Sequence, residues 1–283
     1  MSKDKAKLIE RDPFSVEAMK LAKTKLLSSK IDRDDSKKFL KKLNANGYLI
    51  LEGVIGNSDT KEIKIHCESL MKKASTGATS FGGFQTKRLF NMVARTRKLD
   101  HLLLHPTVIS IIESYLEDQI QLSVASLIQI GSSQKAQPLH RDDNLYPLER
   151  PRKPLTLNAM WALDDFTEKN GSTLLSPGSH LLGDDEKPEK GSVISAVMPA
   201  GSLLLYDGSL FHAGGANNTN TSRLGFSVVY SRSWLRQQEN QFLGVPPEIA
   251  KTLPKNMQKL IGYWVSNNFL GYLNDASPAR LLD

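Results

Sequence analysis

The sequence has a single cysteine and no long apolar run, and these absences exclude several classes of protein. One thiol cannot form an internal disulfide, so a disulfide-stabilised secreted fold is excluded. Because Cys67 lies in a predicted helix, we expect a buried thiol rather than a nucleophile. No apolar segment approaches the ~20 residues of a membrane-spanning helix, and the charged residues 1–12 do not resemble a signal peptide. We therefore expect a soluble, cytoplasmic protein that does not bind membranes.

The formal net charge of +7 raises the question of nucleic-acid binding. Much of the positive excess lies before residue 45, where lysines surround Phe39, Leu40 and Leu43 at helical spacing. That pattern is typical of a solvated helix face. Aromatic side chains are not interleaved with the basic ones, as a stacking platform for single strands would require. We therefore predict a small-molecule substrate and no nucleic-acid partner.

Three parts of the chain differ in their periodicity. Residues 1–120 are mainly helical in pattern, residues 121–235 consist of short strands, and residues 236–283 form a polar helical tail. The predicted helices cover residues 14–29, 34–43, 59–74 and 105–116, and the predicted strands cover 48–54, 121–130, 155–163, 172–175, 192–198, 201–206 and 223–230. A glycine-rich loop is expected at 76–86, and a turn at Gly214-Gly215. Short strands separated by turn residues favour one mainly β domain, a sandwich or jelly roll, with flanking helices.

The most informative segment is His140-Arg-Asp142, shortly after the predicted strand at 121–130. In an extended chain, residues i and i+2 point to the same side, so this imidazole and carboxylate can meet one metal ion. Fe(II) in oxygenases favours two histidines and one carboxylate on one face, which leaves three positions open for co-substrate and O2. A lone His-x-Asp is a weak signal, and Asp143 is an alternative ligand, although the spacing favours Asp142.

A second segment supplies a further ligand and an anion site. The predicted strand at 201–206 leads through a polar turn to His212, and Arg223 opens the next strand. A buried arginine can bind a carboxylate through two parallel hydrogen bonds. This order of residues predicts an iron ion beside an anionic co-substrate. Arg223 could instead be a structural ion-pair partner, and His180, in a Pro-Gly-Ser-His turn, is expected to form a loop hydrogen bond rather than to be a fourth ligand.

Residues 45–235 resemble the phytanoyl-CoA dioxygenase family of Fe(II)- and 2-oxoglutarate-dependent oxygenases. The matching motifs are His140-Arg-Asp142, Met160-Trp161-Ala-Leu-Asp-Asp-Phe, Asn170-Gly171-Ser-Thr, Ser176-Pro-Gly-Ser-His180, and His212 with Arg223. Within the family, Gln137-Pro-Leu-His140-Arg-Asp142-Asp is most similar to fungal-type members that act in meroterpenoid and alkaloid biosynthesis. The resemblance implies a double-stranded β-helix (a cupin-like jelly roll) with helices packed outside it.

The same resemblance implies cofactors and site residues. The two histidines and Asp142 would bind Fe(II), and Arg223 would bind the far carboxylate of 2-oxoglutarate, which is consumed together with O2. Gln137 would hydrogen-bond the keto-acid end, and Asn91 is a weaker candidate for contacting co-substrate or substrate. Side chains that could line a substrate pocket are Phe81, Phe84, Tyr146, Met160 and Trp161.

The expected reaction is oxidation of an unactivated C–H bond by hydroxylation, desaturation or rearrangement, with release of succinate and CO2. A terpenoid or alkaloid is the predicted substrate, and an acyl-CoA or a small polar metabolite is the alternative. Two other classes stay open: a non-catalytic barrel that binds a partner, and a metalloenzyme without 2-oxoglutarate, in which Arg223 would have no function. By resemblance, residues 236–283 could also form a lid or the contact of a homodimer.

Overall fold

The computed structural model describes residues 33–117, 119–267 and 269–282. Within them, Arg33–Met92 and Ala125–Val229 belong to one compact unit, called the sheet unit below. Val93–Val124 and Tyr230–Asp283 belong to a second, called the tail unit. The helix predicted at 14–29 lies outside the described residues, and the three-part division of the chain stays a prediction.

Helices flank the strands in chain order, as the sequence predicts. The described α-helices are α1 (Arg33–Asn46), α2 (Asn57–Met71), α3 (Met92–Arg95), α4 (Asp100–Leu103), α5 (Pro106–Leu116), α6 (Gln241–Gly244), α7 (Pro247–Ala250) and α8 (Lys255–Leu260). Helix α1 ends because Gly47 adopts a left-handed φ of 76° and donates its N–H to the carbonyl of Leu43 at 2.8 Å. Among the described helices, none has the length and apolar character needed to cross a membrane.

The single cysteine, Cys67, lies on the buried face of helix α2. Its buried residues recur every three or four positions, which is the period of one helix face. They are Thr60, Ile63, Cys67 and Met71. Burial raises the pKa of the Cys67 thiol to about 12, so the reactive thiolate is suppressed. The prediction of a buried, inert thiol is therefore confirmed.

Helix α5 of the tail unit has Pro106 in its first turn and ends at Leu116, since the next residue, Glu117, has a left-handed φ of 50°.

A buried amide connects helices α7 and α8 of the tail unit. The side-chain amide of Gln258 in α8 donates to the carbonyls of Ala250 and Leu253, both at 3.0 Å. These bonds connect α8 to the end of α7 and to the turn that follows it.

Two antiparallel sheets carry the core, in agreement with the predicted jelly roll. The strands are β1 (Tyr48–Leu51), β2 (Thr86–Leu89), β3 (Ile120–Ile130), β4 (Thr156–Ala162), β5 (Thr173–Leu175), β6 (Ile194–Ser195), β7 (Leu203–Asp207), β8 (His212–Gly214) and β9 (Arg223–Arg232). The larger sheet has the order β1-β7-β4-β9-β3-β2, and the smaller has the order β6-β5-β8. Apart from β2 with β3 and β5 with β6, the paired strands are not consecutive in the chain, which is typical of a jelly roll.

Strands β2 and β8 were not predicted, and each overlaps a predicted irregular segment at one residue, Thr86 of the loop and Gly214 of the turn. The sequence of β2 is largely polar, and it becomes a strand because it pairs with β3, with Thr86 opposite Ile130. Strand β8 contains His212 and Gly214 and pairs with β5. Tertiary pairing therefore overrides weak local propensity at both places.

Alternation along β4 divides its side chains between two faces. Asn158 and Met160 lie on one face, opposite Tyr206 and Leu204 of β7, and Trp161 lies on the other. All seven residues of β4 are buried. The face that carries Asn158 and Met160 is the one that leads to the functional site.

Candidate metal and co-substrate site

His140, Asp142 and His212 come together in the sheet unit, and their potential ligand atoms all lie within 4.8 Å of one another. Oδ1 of Asp142 is 3.5 Å from Nε2 of His140, and Oδ2 is 3.4 Å from Nε2 of His212. The backbone places the histidines opposite each other, because the N–H of each donates to the carbonyl of the other at 2.9 Å. Asp142 opens the 3-10 turn Asp142–Leu145 that follows directly. This cluster can hold a metal ion.

Hydrogen bonds fix the tautomer of both imidazole rings. Nδ1 of His140 lies 2.9 Å from the carbonyl oxygen of Pro138, and Nδ1 of His212 lies 2.9 Å from that of Leu210. A carbonyl only accepts, so each neutral ring carries its proton on Nδ1. Each Nε2 then presents its lone pair toward Asp142, which is the arrangement that a metal ligand needs.

The charges of the cluster are strongly coupled. Burial would raise the pKa of Asp142, but His212 and His140 hold it well below its usual range. Burial would likewise lower the pKa of His212, yet the facing carboxylate raises it. A carboxylate that favours positive charge in the ring of His212 also favours a divalent cation at the same place.

Asp143 points away from the histidines and is engaged elsewhere. Its fully buried carboxylate accepts hydrogen bonds from Arg150, from Arg152 at 2.6 Å and from the hydroxyl of Ser209 at 2.6 Å. Two guanidinium groups and a hydroxyl therefore compensate its charge. Of the two consecutive carboxylates, Asp142 is the one that faces the histidines.

Arg223 is a buried cation with unused donors. It is 2% exposed, its Nη2 donates to the carbonyl of Gly171, and its guanidinium carbon lies 3.9 Å from the ring centre of Phe166. Its Nε and Nη1 have no hydrogen-bond partner among the described residues. Burial lowers the pKa of Arg223 to about 9, since the remaining charges offset little of the desolvation. Such a group is suited to an anionic ligand.

The acidic residue near Arg223 already has other partners. Oδ1 of Asp164 lies 2.6 Å from Nζ of Lys64, and Oδ2 accepts from the backbone N–H of Leu224 at 2.8 Å. Asp164 favours the charged form of Arg223 only through a longer-range interaction. The alternative of a structural ion pair at Arg223 therefore has no hydrogen-bonded carboxylate to support it within the described part of the chain.

Gln137 lies beside the metal cluster, and its side chain joins two segments. Its Oε1 accepts from the backbone N–H of Gly214 at 2.8 Å, and its Nε2 donates to the carbonyl of Phe81 at 2.7 Å. A contact with the keto acid would have to use the remaining N–H of the amide. Asn91 follows β2 with a left-handed φ of 58° and is half-buried, and its predicted contact stays a prediction.

Among the predicted pocket residues, the structure brings Phe81 to the cluster. Its ring lies edge-on to that of His140, with centroids 4.8 Å apart, and the side chain is 52% exposed. Phe84, in the same loop, is also exposed, whereas Tyr146 is buried directly after the 3-10 turn. Phe81 is thus an apolar side chain accessible to solvent and in contact with a candidate metal ligand.

The two pocket candidates on β4 lie on opposite faces of the strand. Met160 belongs to the buried cluster that includes Phe166 and Tyr206. A Cβ placed on Gly225 would meet Sδ of Met160 at 3.0 Å and Nη1 of Arg223 at 3.4 Å, so Met160 borders the arginine. Trp161 is fully buried on the other face, and the structure does not bring it to the cluster.

Two polar residues next to the metal cluster were not predicted from the sequence. Asn158 is fully buried and donates from Nδ2 to Oδ2 of Asp142 at 3.0 Å. Tyr206, its cross-strand partner, places its ring 4.6 Å from that of His212. The available signal was an asparagine within the largely apolar strand β4. His180 forms a loop hydrogen bond, as predicted, because its Nε2 lies 3.1 Å from the carbonyl of Asn44.

Comparison with known proteins identifies the family. Residues 43–225 match the family model described as phytanoyl-CoA dioxygenase (PhyH). The chain belongs to this family. The dioxygenase olcK of Penicillium canescens is 30% identical over 244 residues, which cover 80% of each chain. The dioxygenase trt7 of Aspergillus terreus is 29% identical over 236 residues, which cover 78% of this chain and 82% of the relative. The predicted similarity of this PhyH chain to fungal members is thereby confirmed.

Solved structures support the fold of this PhyH protein. The epimerase SnoN, in complex with Fe3+, alpha-ketoglutarate and nogalamycin RO, superimposes with a TM-score of 0.63 at 19% identity. The match covers 75% of this chain and 90% of SnoN. At that level of identity the likeness concerns the fold, and the predicted jelly roll is confirmed.

Proposed function

We propose that this protein is an Fe(II)- and 2-oxoglutarate-dependent dioxygenase that oxidises an unactivated C–H bond of a small organic molecule. The observation that carries the proposal is a His-Asp-His cluster in the same compact unit as a buried arginine with two unused donor groups. The PhyH family and the fungal dioxygenase relatives support it.

The metal cluster fits Fe(II) by its donor set. Two neutral imidazole nitrogens and one carboxylate are the ligands of non-haem Fe(II) oxygenases, and they leave three positions open. His140, Asp142 and His212 would supply these ligands. The backbone carbonyls that hold both Nδ1 atoms would keep the rings aimed at the ion.

The surroundings of Arg223 fit the far carboxylate of 2-oxoglutarate. Its Nε and Nη1 are buried donors without partners in the described part of the chain, and a carboxylate can accept from both at once. Gly225 keeps the adjacent space free, because a Cβ there would approach Met160 and Arg223. Burial, together with the charge of Asp142, raises the pKa of Tyr206 well above its usual value, so the phenol stays protonated beside the site.

When bound, Fe(II) and 2-oxoglutarate would supply oxidation of a C–H bond by O2, coupled to formation of succinate and CO2. The chain orients the reactants and excludes water around them. Phe81, exposed beside His140, would contact an apolar substrate. Together with the fungal relatives, this favours a secondary metabolite such as a terpenoid or alkaloid over an acyl-CoA or a polar metabolite. A homodimer and a cytoplasmic location are further parts of the proposal, taken from the sequence.

The proposal is tested by anaerobic titration of the apo-protein with Fe(II) and 2-oxoglutarate, followed through the visible charge-transfer band of the chelate. We expect the band in the wild type and its loss in His212→Ala. His180→Ala is the matched control, since it removes a buried histidine outside the cluster. Arg223→Ala should require roughly 10- to 100-fold more 2-oxoglutarate, because it removes charge-assisted hydrogen bonds of about 1.5–3 kcal/mol.

Two results would contradict the proposal. Iron binding without a chelate band would indicate a metalloenzyme that does not use 2-oxoglutarate. Absence of iron binding in the wild type would favour a non-catalytic binding protein.

A further inference from the structure

We propose that Asn158 is a positioning residue. It would hold Asp142 so that the carboxylate binds the metal through one oxygen, which keeps all three remaining coordination positions of the iron open. The inference rests on the proposed function, and it concerns a residue that does not itself contact the metal. It starts from the hydrogen bond of 3.0 Å between Nδ2 of Asn158 and Oδ2 of Asp142.

A carboxylate can bind a metal ion through one oxygen or through both. If Asp142 used both, it would occupy one of the three positions that an oxygenase needs for co-substrate and O2. The amide of Asn158 engages Oδ2 and fixes the plane of the carboxylate, so Oδ1 remains as the ligand atom. Outer hydrogen bonds of this kind orient metal ligands in general.

The environment of Asn158 indicates that its side-chain amide serves to hydrogen-bond Asp142. It is fully buried in β4, and every other residue of that strand is also buried. Within the described ranges, the bond to Asp142 is the only hydrogen bond of its side chain, and Oδ1 has no partner. A purely structural amide forms more hydrogen bonds with the surrounding backbone, as Gln258 does with two carbonyls. Burying an amide oxygen without a hydrogen-bond partner costs free energy of folding. We infer that the bond to Asp142 is the reason for an amide at this position.

Strand pairing fixes the place of Asn158 relative to both histidines. It lies directly opposite Tyr206 of β7, and the ring of Tyr206 packs against His212 at 4.6 Å. The rings of His212 and His140 are 4.4 Å apart. The pairing of β4 with β7 therefore brings the buried amide to the carboxylate, whereas the ring of Phe81, which contacts His140, is exposed.

The test measures Mn(II) affinity, because Mn(II) accepts the same ligands and is stable in air. Free Mn(II) is followed by electron paramagnetic resonance during titration of the full chain, and the melting temperature is recorded for each variant. We expect Asn158→Leu, which has the same branching of heavy atoms and no donor, to bind Mn(II) about 10- to 100-fold more weakly than the wild type, because the carboxylate of Asp142 loses its fixed orientation. Asn158→Ala is the second variant, in case the leucine disturbs packing.

Gln258→Leu is the matched control, since it removes a buried amide from the tail unit. It should lower the melting temperature and leave Mn(II) affinity unchanged, which separates loss of stability from loss of positioning. Wild-type affinity in Asn158→Leu and Asn158→Ala would overturn the inference while leaving the proposed function intact. Absence of Mn(II) and Fe(II) binding in the wild type would instead overturn the proposed function, and this inference with it.

Discussion

Two consecutive carboxylates, Asp142 and Asp143, lie in opposite electrostatic surroundings. Asp143 is buried against Arg150, Arg152 and Ser209, so its charge is compensated within the protein. Asp142 faces two imidazoles whose Nε2 atoms have lone pairs, and its hydrogen-bond donor is a neutral amide. The charge of Asp143 is balanced without a ligand, whereas the charge of Asp142 and the two imidazole lone pairs are suited to bind a cation.

The same contrast separates two buried arginines. Arg150 bonds to Asp143 and to Asp184, the latter at 2.6 Å. Arg223 has a carbonyl and an aromatic ring as neighbours and keeps two donors unused within the described residues. Burial is common to both guanidinium groups, and of the two only Arg223 has nitrogen atoms without a partner among the described residues. These unpaired donors, rather than burial alone, distinguish Arg223 as a candidate anion site.

The largest expected effect is on metal binding. Asp142→Asn removes the negative ligand and should weaken Fe(II) or Mn(II) binding by more than the ~100-fold that loss of an outer hydrogen bond can cost. Above the raised pKa of His212 the melting temperature of the apo-protein should change little, because no cation then loses its partner. Titration calorimetry and thermal unfolding measure both quantities. Unchanged metal affinity would show that the ion, if bound, uses other ligands.

The next effect is on folding and concerns the neighbouring residue. Asp143→Asn leaves Arg150 and Arg152 without their shared carboxylate, and breaking a buried ion pair in this way costs about 3–5 kcal/mol. We expect a clear loss of stability in urea unfolding, with metal binding retained below the new melting temperature. If metal binding is lost and stability is unchanged, the roles of the two carboxylates are reversed.

Much of the fold could be predicted from periodicity. Helix α5 has the predicted end at Leu116, because Pro106 and the apolar spacing are local signals. Strands β2 and β8 could not be predicted, since a polar tetrapeptide and a His-Ala-Gly segment become strands only by pairing with distant partners. The predicted strand at 192–198 contracts to Ile194–Ser195 for the same reason.

The metal ligands and the anion-binding arginine of the candidate site could be predicted, because residue type, spacing and family resemblance all indicated them. These residues are His140, Asp142, His212 and Arg223. Asn158 could not be predicted, because its role depends on the register of β4 against β7, which brings its amide to Asp142. The bonds of Gln137 to Gly214 and Phe81 are likewise a product of the tertiary fold.

The smallest expected effect is on the titration of His212. Burial lowers its pKa, and Asp142 opposes burial strongly enough to raise the value above 6.5, whereas Asp143 contributes least. A raised pKa in the folded state means that the charged ring contributes stability below about pH 6.5, and that this contribution is lost as the pH rises through the raised value. In the apo-protein, Asp142→Asn should therefore lower the pKa of His212, because only the hydrogen bond to Leu210 and the weak influence of Asp143 then oppose burial.

Asp143→Asn should lower the same pKa only slightly, which makes it the control for Asp142→Asn. Imidazole nitrogen and carbon-bound proton resonances, followed by NMR between pH 5 and 9 in metal-free buffer (a range of roughly two units around the ordinary histidine pKa), report the titration directly. His180 provides an internal reference in each sample, since burial lowers its pKa and its ring nitrogen bonds to the carbonyl of Asn44. Equal shifts in the two variants would mean that the surroundings of Asp142 and Asp143 are electrostatically one region, because each carboxylate would then act on His212 with similar strength.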